Sequence, residues 1–273
     1  MRTTMRTPRA APVLLGIPFD AASSYLRGPA EAPAAIRRAL HSPSSNLWTE
    51  DGVDLGEAGR FVDGGDVDVA AAADPRLAIT DGVSRVLQQG ARPLLLGGDH
   101  SVTYPIVRTV AAAHRPLSLL HIDAHPDLYP EFGGDRYSHA CPFARIMEEG
   151  LVGQLVQVGI RTMSGVQRAQ AERFGVEVID MREWSAGRRP ALLYPLYVSI
   201  DLDALDPAYA PGVSHREPGG LSVRDVITLV QSIELPVVGA DVVELNPRQD
   251  DGDLTARVAA KLVKELLARL LRH

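Results

Sequence analysis

The sequence predicts an α/β fold, a single domain in which a parallel sheet carries helices on both faces. Three observations lead there. Short apolar runs recur along the chain, apolar on both faces as strands covered from both sides must be. Segments of helical period separate them, and such alternation favours parallel pairing through right-handed crossovers. The 273 residues, 45% hydrophobic and 23% charged, can build one substantial core, and α/β domains reach this length undivided. We therefore expect one domain over residues 1–273, with 1–11 as a flexible N-terminus.

Taken in order, the strands are VLLGI from Val13, PLLLG from Pro93, LSLLHID from Leu117, LVQVGI from Leu155, LYVSID from Leu196 and PVVGADVV from Pro236. Helices are expected over 32–41, 74–89, 102–113, 166–174, 223–233 and 255–271. Gly90 and Gly175 close the second and fourth of these, and Ser222 with Asp225 forms an N-cap and acidic first turn for the fifth. In such sheets the ligand site lies beyond the carboxyl ends of the strands, which is the test for every polar cluster.

Composition removes several classes of function. With 28 basic against 34 acidic residues the net charge is −6, and no basic stripe exists to hold a phosphate backbone, so no nucleic-acid partner is expected. No apolar stretch approaches the roughly 20 residues that span a bilayer, so no membrane partner is expected. The single cysteine, Cys141, excludes an intrachain disulfide and fits a reducing compartment, which makes the cytoplasm the default. The first ten residues, MRTTMRTPRA, are rich in Arg and Thr and free of acids, as organellar presequences are. A strand beginning at Val13 leaves little chain for a removable signal, and the cytoplasmic reading stands.

Three polar clusters follow directly on apolar runs. Gly97-Gly98-Asp99-His100-Ser101 follows PLLLG, where paired glycines let the backbone turn and present His100 at the sheet edge. A phosphate cradle would need GxGxxG or GxxxxGK[ST], and neither is present. In Asp123-Ala124-His125-Pro126-Asp127, extended-chain alternation places Asp123, His125 and Asp127 on one face. Ser199-Ile200-Asp201-Leu202-Asp203 repeats the device with Asp201 and Asp203. Four carboxylates crowded at strand ends repel one another unless cations neutralise them. Carboxylates with imidazoles and no thiolate suit manganese or a similar divalent ion. Six side chains exceed what one ion needs, so two ions are expected.

GGDHS, DAHPD and SIDLDALDP together resemble the metal-binding signatures of the ureohydrolases, the family of arginases and agmatinases, and the resemblance runs from Val13 to the final helix. It implies the arginase-like fold, a parallel α/β sheet, with a dimanganese centre, one ion held by His100, Asp123, Asp127 and Asp201 and the other by Asp123, His125, Asp201 and Asp203. YSHACPFARIMEEG at Tyr137, APGVSHREPGGLSVRDV at Ala210 and VVGADVVELNP at Val237 are most similar to plant-type arginases. The GNLHG of animal arginases is replaced by RYSHA at Arg136, their substrate-carboxylate Asn by Tyr129, and the agmatinase segment GTGTPEPGG by GVSHREPGG at Gly212. The family's homo-oligomers are trimers and hexamers, and the same is expected here.

The expected reaction releases urea and ornithine from L-arginine, a small guanidino substrate, with agmatine or another guanidino acid as the alternative. Two cations acidify a water that attacks the guanidinium carbon. Asp127 orients it, His139 delivers a proton to the departing amine, and Glu244 accepts two N–H bonds from the guanidinium. Ser214, His215 and Arg216 are candidates for the substrate's outer end. Asp241, one position off the Glu244 face, is divided between a structural and a functional role. A Cys141/His139 nucleophile is redundant beside a metal-activated water. A single-zinc deacetylase would need fewer ligands, and a non-catalytic metal protein would leave His139 and Glu244 idle.

Overall fold

The computed structural model describes residues 10–272; residues 1–9, which hold most of the expected flexible N-terminus and of the presequence-like segment, lie outside the described residues with 273. The strands are β1 (Val13–Gly16), β2 (Val62–Asp66), β3 (Pro93–Leu96), β4 (Ser118–Ile122), β5 (Gln154–Ile160), β6 (Glu177–Asp180), β7 (Leu196–Asp201) and β8 (Val237–Val243). They form one sheet in the order β2-β1-β3-β8-β7-β4-β5-β6, and every pairing is parallel. The six strands expected from apolar runs are all present. The two that were not expected, β2 and β6, are the sheet edges. VDGGD in β2 is exposed throughout, and EVID in β6 fully buries only Ile179. An edge strand pairs on one side only and carries charge there, so no apolar run marks it.

The helices are α1 (Ala32–Leu40), α2 (Pro75–Gln88), α3 (Thr103–Ala113), α4 (Pro142–Glu148), α5 (Gly165–Phe174), α6 (Met181–Ser185), α7 (Val223–Gln231) and α8 (Leu254–Arg272). Their ends follow local chemistry. The Asp74 side chain accepts from Arg76 N–H ahead of α2, and Gly175, at φ 65°, closes α5. The expected Ser222/Asp225 start is a full capping box, each side chain accepting from the other's backbone. The unforeseen α4 and α6, of seven and five residues, are too short to show a helical period.

Alternation along the strands divides the interior into two cores. Leu14, Leu94, Leu96, Leu120, Ile122, Val198 and Ile200 face one side, beneath α1, α7 and α8. Val13, Leu15, Leu95, Leu119 and Tyr197 face the other, beneath α2, α3 and α4. Among the described residues no helix is long and apolar enough to cross a membrane.

Candidate metal centre and active site

The strand order places the carboxyl ends of β3, β8, β7 and β4 side by side, and each delivers one part of a single site. After β3 the chain enters a short 3₁₀ turn (His100–Val102) capped by Asp99. The glycines before it serve a different purpose from the turn expected. A Cβ on Gly98 would lie 1.6 Å from the Phe19 carbonyl oxygen, and one on Gly97 would lie 2.4 Å from Val243 Cγ1. Close approach of the Phe19 backbone requires Gly98, and the Val243 side chain packed on the turn requires Gly97, with no left-handed conformation involved. Asp99 is fully buried and accepts from Ala22 N–H, Ser101 N–H and the Ser101 hydroxyl. Burial and the nearby Glu244 charge push it up to about 7.

The first imidazole meets three carboxylates. His100 Nδ1 lies 3.2 Å from Asp123 Oδ2, 3.2 Å from Asp127 Oδ2 and 3.1 Å from Asp201 Oδ2, the first of the two expected ligand sets. His125 Nδ1 lies 3.4 Å from Asp123 Oδ1 and 3.1 Å from Asp203 Oδ2, so Asp123 faces both groups. The convergence arises differently from the alternation expected. β4 ends at Ile122, and Asp127 is brought back by a left-handed residue, its own φ being 49°. Such a conformation costs a non-glycine residue on the order of 1–3 kcal/mol and is retained where the surroundings enforce it. Asp203 sits in a 3₁₀ turn (Leu202–Ala204), its N–H donating to Asp201 Oδ1 at 2.8 Å.

The electrostatics are those of a cation site. Burial and the Asp203 and Asp123 charges hold the Asp201 carboxyl well above its usual range. Burial likewise raises Asp203, to about 6. Burial opposes charge on His100 and His125, but their carboxylate neighbours overcome it, raising His100 well above its normal value and His125 to about 12. The carboxylates thus draw positive charge onto any base within reach. A divalent ion competes for the same lone pairs and releases those protons. Two groups, Asp123 with His125 and Asp203, and His100 with His121 and Asp123, have ligand atoms close enough to hold a metal. His121, which the sequence did not single out, belongs to the second.

Beside these ligands His139 and Glu244 form a pair. Glu244 follows β8 at φ 64°, and its Oε1 accepts from His100 N–H at 2.9 Å and from His139 Nδ1–H at 2.8 Å. Burial opposes charge on His139, yet the Glu244 carboxylate carries its pKa up to about 9. The other ring nitrogen faces Ser24, whose N–H donates to Nε2 at 3.2 Å and whose hydroxyl lies 2.8 Å away. Protonation at Nε2 therefore requires the Ser24 amide to give way and the hydroxyl to become the acceptor. Ser24 carries no motif that sequence reading could have used.

A cavity of about 410 Å³ opens onto His125, Asp127, His139, Asp201, Asp203 and Glu244, with Tyr129, Thr162, Ser164, Gln167 and His215 further out. The segment expected to meet the outer end of a substrate divides. His215 lines the cavity and packs against the rings of Tyr25, His125 and His139; burial and the His139 charge lower its pKa. Arg216 is turned away, donating to the carbonyls of Pro211 and Gln249. Ser214 donates to Leu26 C=O and accepts from Asn246, which pins the loop and leaves its hydroxyl no role in the cavity.

One further carboxylate acts from behind. Asp241 is fully buried and accepts from Thr103, Tyr197 and Ser199 hydroxyls; Ser199 Oγ in turn lies 3.0 Å from His100 Nε2. Asp241 thus backs the His100 ring through Ser199, away from any substrate. Cys141 is buried before α4, and burial with the Asp127 charge pushes its thiol up to about 12, which suits no thiolate nucleophile.

Comparison with known proteins agrees with this geometry. The Arginase family matches residues 10–268. "Arginase 1, mitochondrial" of Arabidopsis thaliana is 48% identical over 96% of this chain and 82% of its own length. "N(1)-aminopropylagmatine ureohydrolase" of Thermus thermophilus is 38% identical over 89% and 86%. The solved structure "Arginase from Medicago truncatula" superposes with a TM-score of 0.92 at 44% identity, covering 97% of this chain and 89% of that one. With its parallel sheet, its buried His/Asp cluster and this match along nearly its whole length, the chain belongs to the arginase family.

Proposed function

We propose that the protein hydrolyses L-arginine to urea and ornithine at a centre of two manganese ions. The observation that carries this reading is the meeting of His100, His125 and four aspartates with the His139/Glu244 pair at one cavity. One ion would be held by His100, Asp123, Asp127 and Asp201, the other by Asp123, His125, Asp201 and Asp203. Four carboxylates and two imidazoles suit manganese. When bound, such ions supply a water acidified toward neutral pH and a positive field for developing charge.

The chain's own groups do the rest. Asp127, at the cavity wall, orients the attacking water. Glu244 Oε2, which no hydrogen bond reaches among the described residues, is left to accept an N–H of the guanidinium. His139, paired through Nδ1, exchanges its proton with the leaving amine through Nε2, Ser24 adjusting beside it.

Arginine is favoured by the 48% identity to a protein named arginase. Agmatine is favoured by one feature, the lack of any Lys or Arg among the cavity-lining residues, which leaves a substrate carboxylate no guanidinium or ammonium partner there. Urea release from the two substrates, compared as kcat/KM, decides between them; a preference for agmatine overturns the arginine assignment. Arg216→Ala is expected to leave the ratio within about twofold, because its guanidinium is bonded to the Pro211 and Gln249 carbonyls and does not line the cavity, whereas His215→Ala should shift it severalfold. A ratio unmoved by His215→Ala removes that residue from recognition. The cytoplasmic location and the trimeric or hexameric assembly belong to the same proposal, tested by cell fractionation and sedimentation.

A further inference from the structure

We propose that His121 is a positioning residue that holds Asp123 as a hydrogen-bond donor and is not itself a metal ligand. The inference rests on the metal-centre reading only in that Asp123 is taken as a ligand. His121 lies in β4, fully buried, two residues before Asp123 and on the same face. Its Nε2 is 2.7 Å from Asp123 Oδ2, a distance open to two meanings. A ring nitrogen so close to a ligand carboxylate and to His100 could share an ion with them, or it could bear a proton and donate.

The other side of the ring decides. Gln157, the partner of His121 across the β4–β5 ladder, places one terminal atom 2.7 Å from the Pro126 carbonyl oxygen and 3.0 Å from His121 Nδ1. A carbonyl oxygen only accepts, so that atom is the amide nitrogen. The reversed amide would set two oxygens against each other at 2.7 Å. The NH₂ group has two hydrogens, one for Pro126 and one for His121, and Nδ1 must be the lone-pair side. In the neutral ring the proton is then on Nε2 and points at Asp123. A nitrogen that bears a proton has no lone pair for a cation. The arrangement leaves Gln157 Oε1 buried without a partner, so it persists against a local cost.

The consequence for Asp123 is orientation. Its Oδ1 accepts from His125 N–H at 2.7 Å and its Oδ2 from His121. With one bond on each oxygen the carboxylate plane cannot rotate, and its remaining lone pairs face the His100 and His125 sides. Phe143 stacks on the His121 ring at 3.7 Å, holding the donor in place. Outer partners of this kind typically change metal affinity by about 10–100-fold when removed.

Manganese titrated into metal-free protein should bind about 10–100-fold more weakly to His121→Leu than to wild type. His121→Gln keeps an N–H at similar reach and should recover most of that loss. Gln157→Leu leaves the ring in place but frees its tautomer, and tests the same relay should His121→Leu fail to fold. Ring ¹⁵N spectra of metal-free protein, repeated with diamagnetic zinc, should show the His121 proton on Nε2 in both states. A proton on Nδ1 with an Nε2 resonance that moves on adding zinc would make His121 a ligand and overturn the proposal. So would unchanged manganese affinity in His121→Leu. Wild-type protein that binds no manganese would instead defeat the metal-centre reading, while the spectra still report whether His121 donates to Asp123.

Discussion

Asp201→Ala is expected to abolish urea release while leaving the fold intact. Asp201 is shared by both proposed ligand sets, its Oδ2 facing His100 Nδ1 at 3.1 Å and its neighbour Asp203 facing His125. Within the protein its loss removes the acceptor for Asp203 N–H and one of the three carboxylates that face His100 Nδ1. The stability effect has a definite sign. Burial and the adjacent aspartates raise its folded pKa well above the normal carboxylate value, so its contribution to stability is present at low pH and is lost as pH rises through that raised value. Without metal, ionising this buried carboxyl opposes folding, and the variant should melt no lower than wild type in chelator. Manganese should then separate them, since a ligand at a hundred times its Kd adds about 2.7 kcal/mol per site. Urea release within tenfold of wild type, or equal stabilisation by manganese, would remove Asp201 from the centre.

His139→Asn is expected to lower kcat by about 10²–10⁴-fold, the usual contribution of a general acid–base group, with KM changed only a few-fold because proton delivery belongs to the transition state. The pH profile carries a second test. Glu244 raises the His139 pKa to about 9 against the pull of burial, so the acid form persists through neutrality and is lost above about pH 9. The alkaline limb should disappear in His139→Asn. It should move toward lower pH in Glu244→Gln, where the raising charge is gone. A His139→Asn enzyme within threefold of wild type would take this side chain out of the reaction.

Much of this site was legible in the sequence. Each of the six metal-ligand candidates lies where an apolar run ends, and the donor types alone pointed to a hard divalent ion. The Ser222/Asp225 start of α7 was legible for the same local reason. The structure brings these residues together by a route the spacing argument did not give: Asp127 converges through a left-handed turn and Asp203 through a 3₁₀ turn, because the strands stop before their motifs do. Arg216 shows the opposite failure. A basic residue in the expected segment reads as a donor for a carboxylate, yet its guanidinium is taken by two backbone carbonyls.

The sequence by itself determined the strands buried on both faces, the helix caps, the carboxylate and imidazole donors at the strand ends and the presence of His139 and Glu244. These follow from periodicity, donor type and capping, which act over a few residues. Only the tertiary structure decided that β3, β8, β7 and β4 lie side by side, that Ser24 faces His139 across 115 positions, and that His121 and Gln157 stand behind Asp123. Strand order depends on how crossovers pack over the sheet. The partner of a buried polar atom depends on which distant element covers it, and no local pattern encodes either.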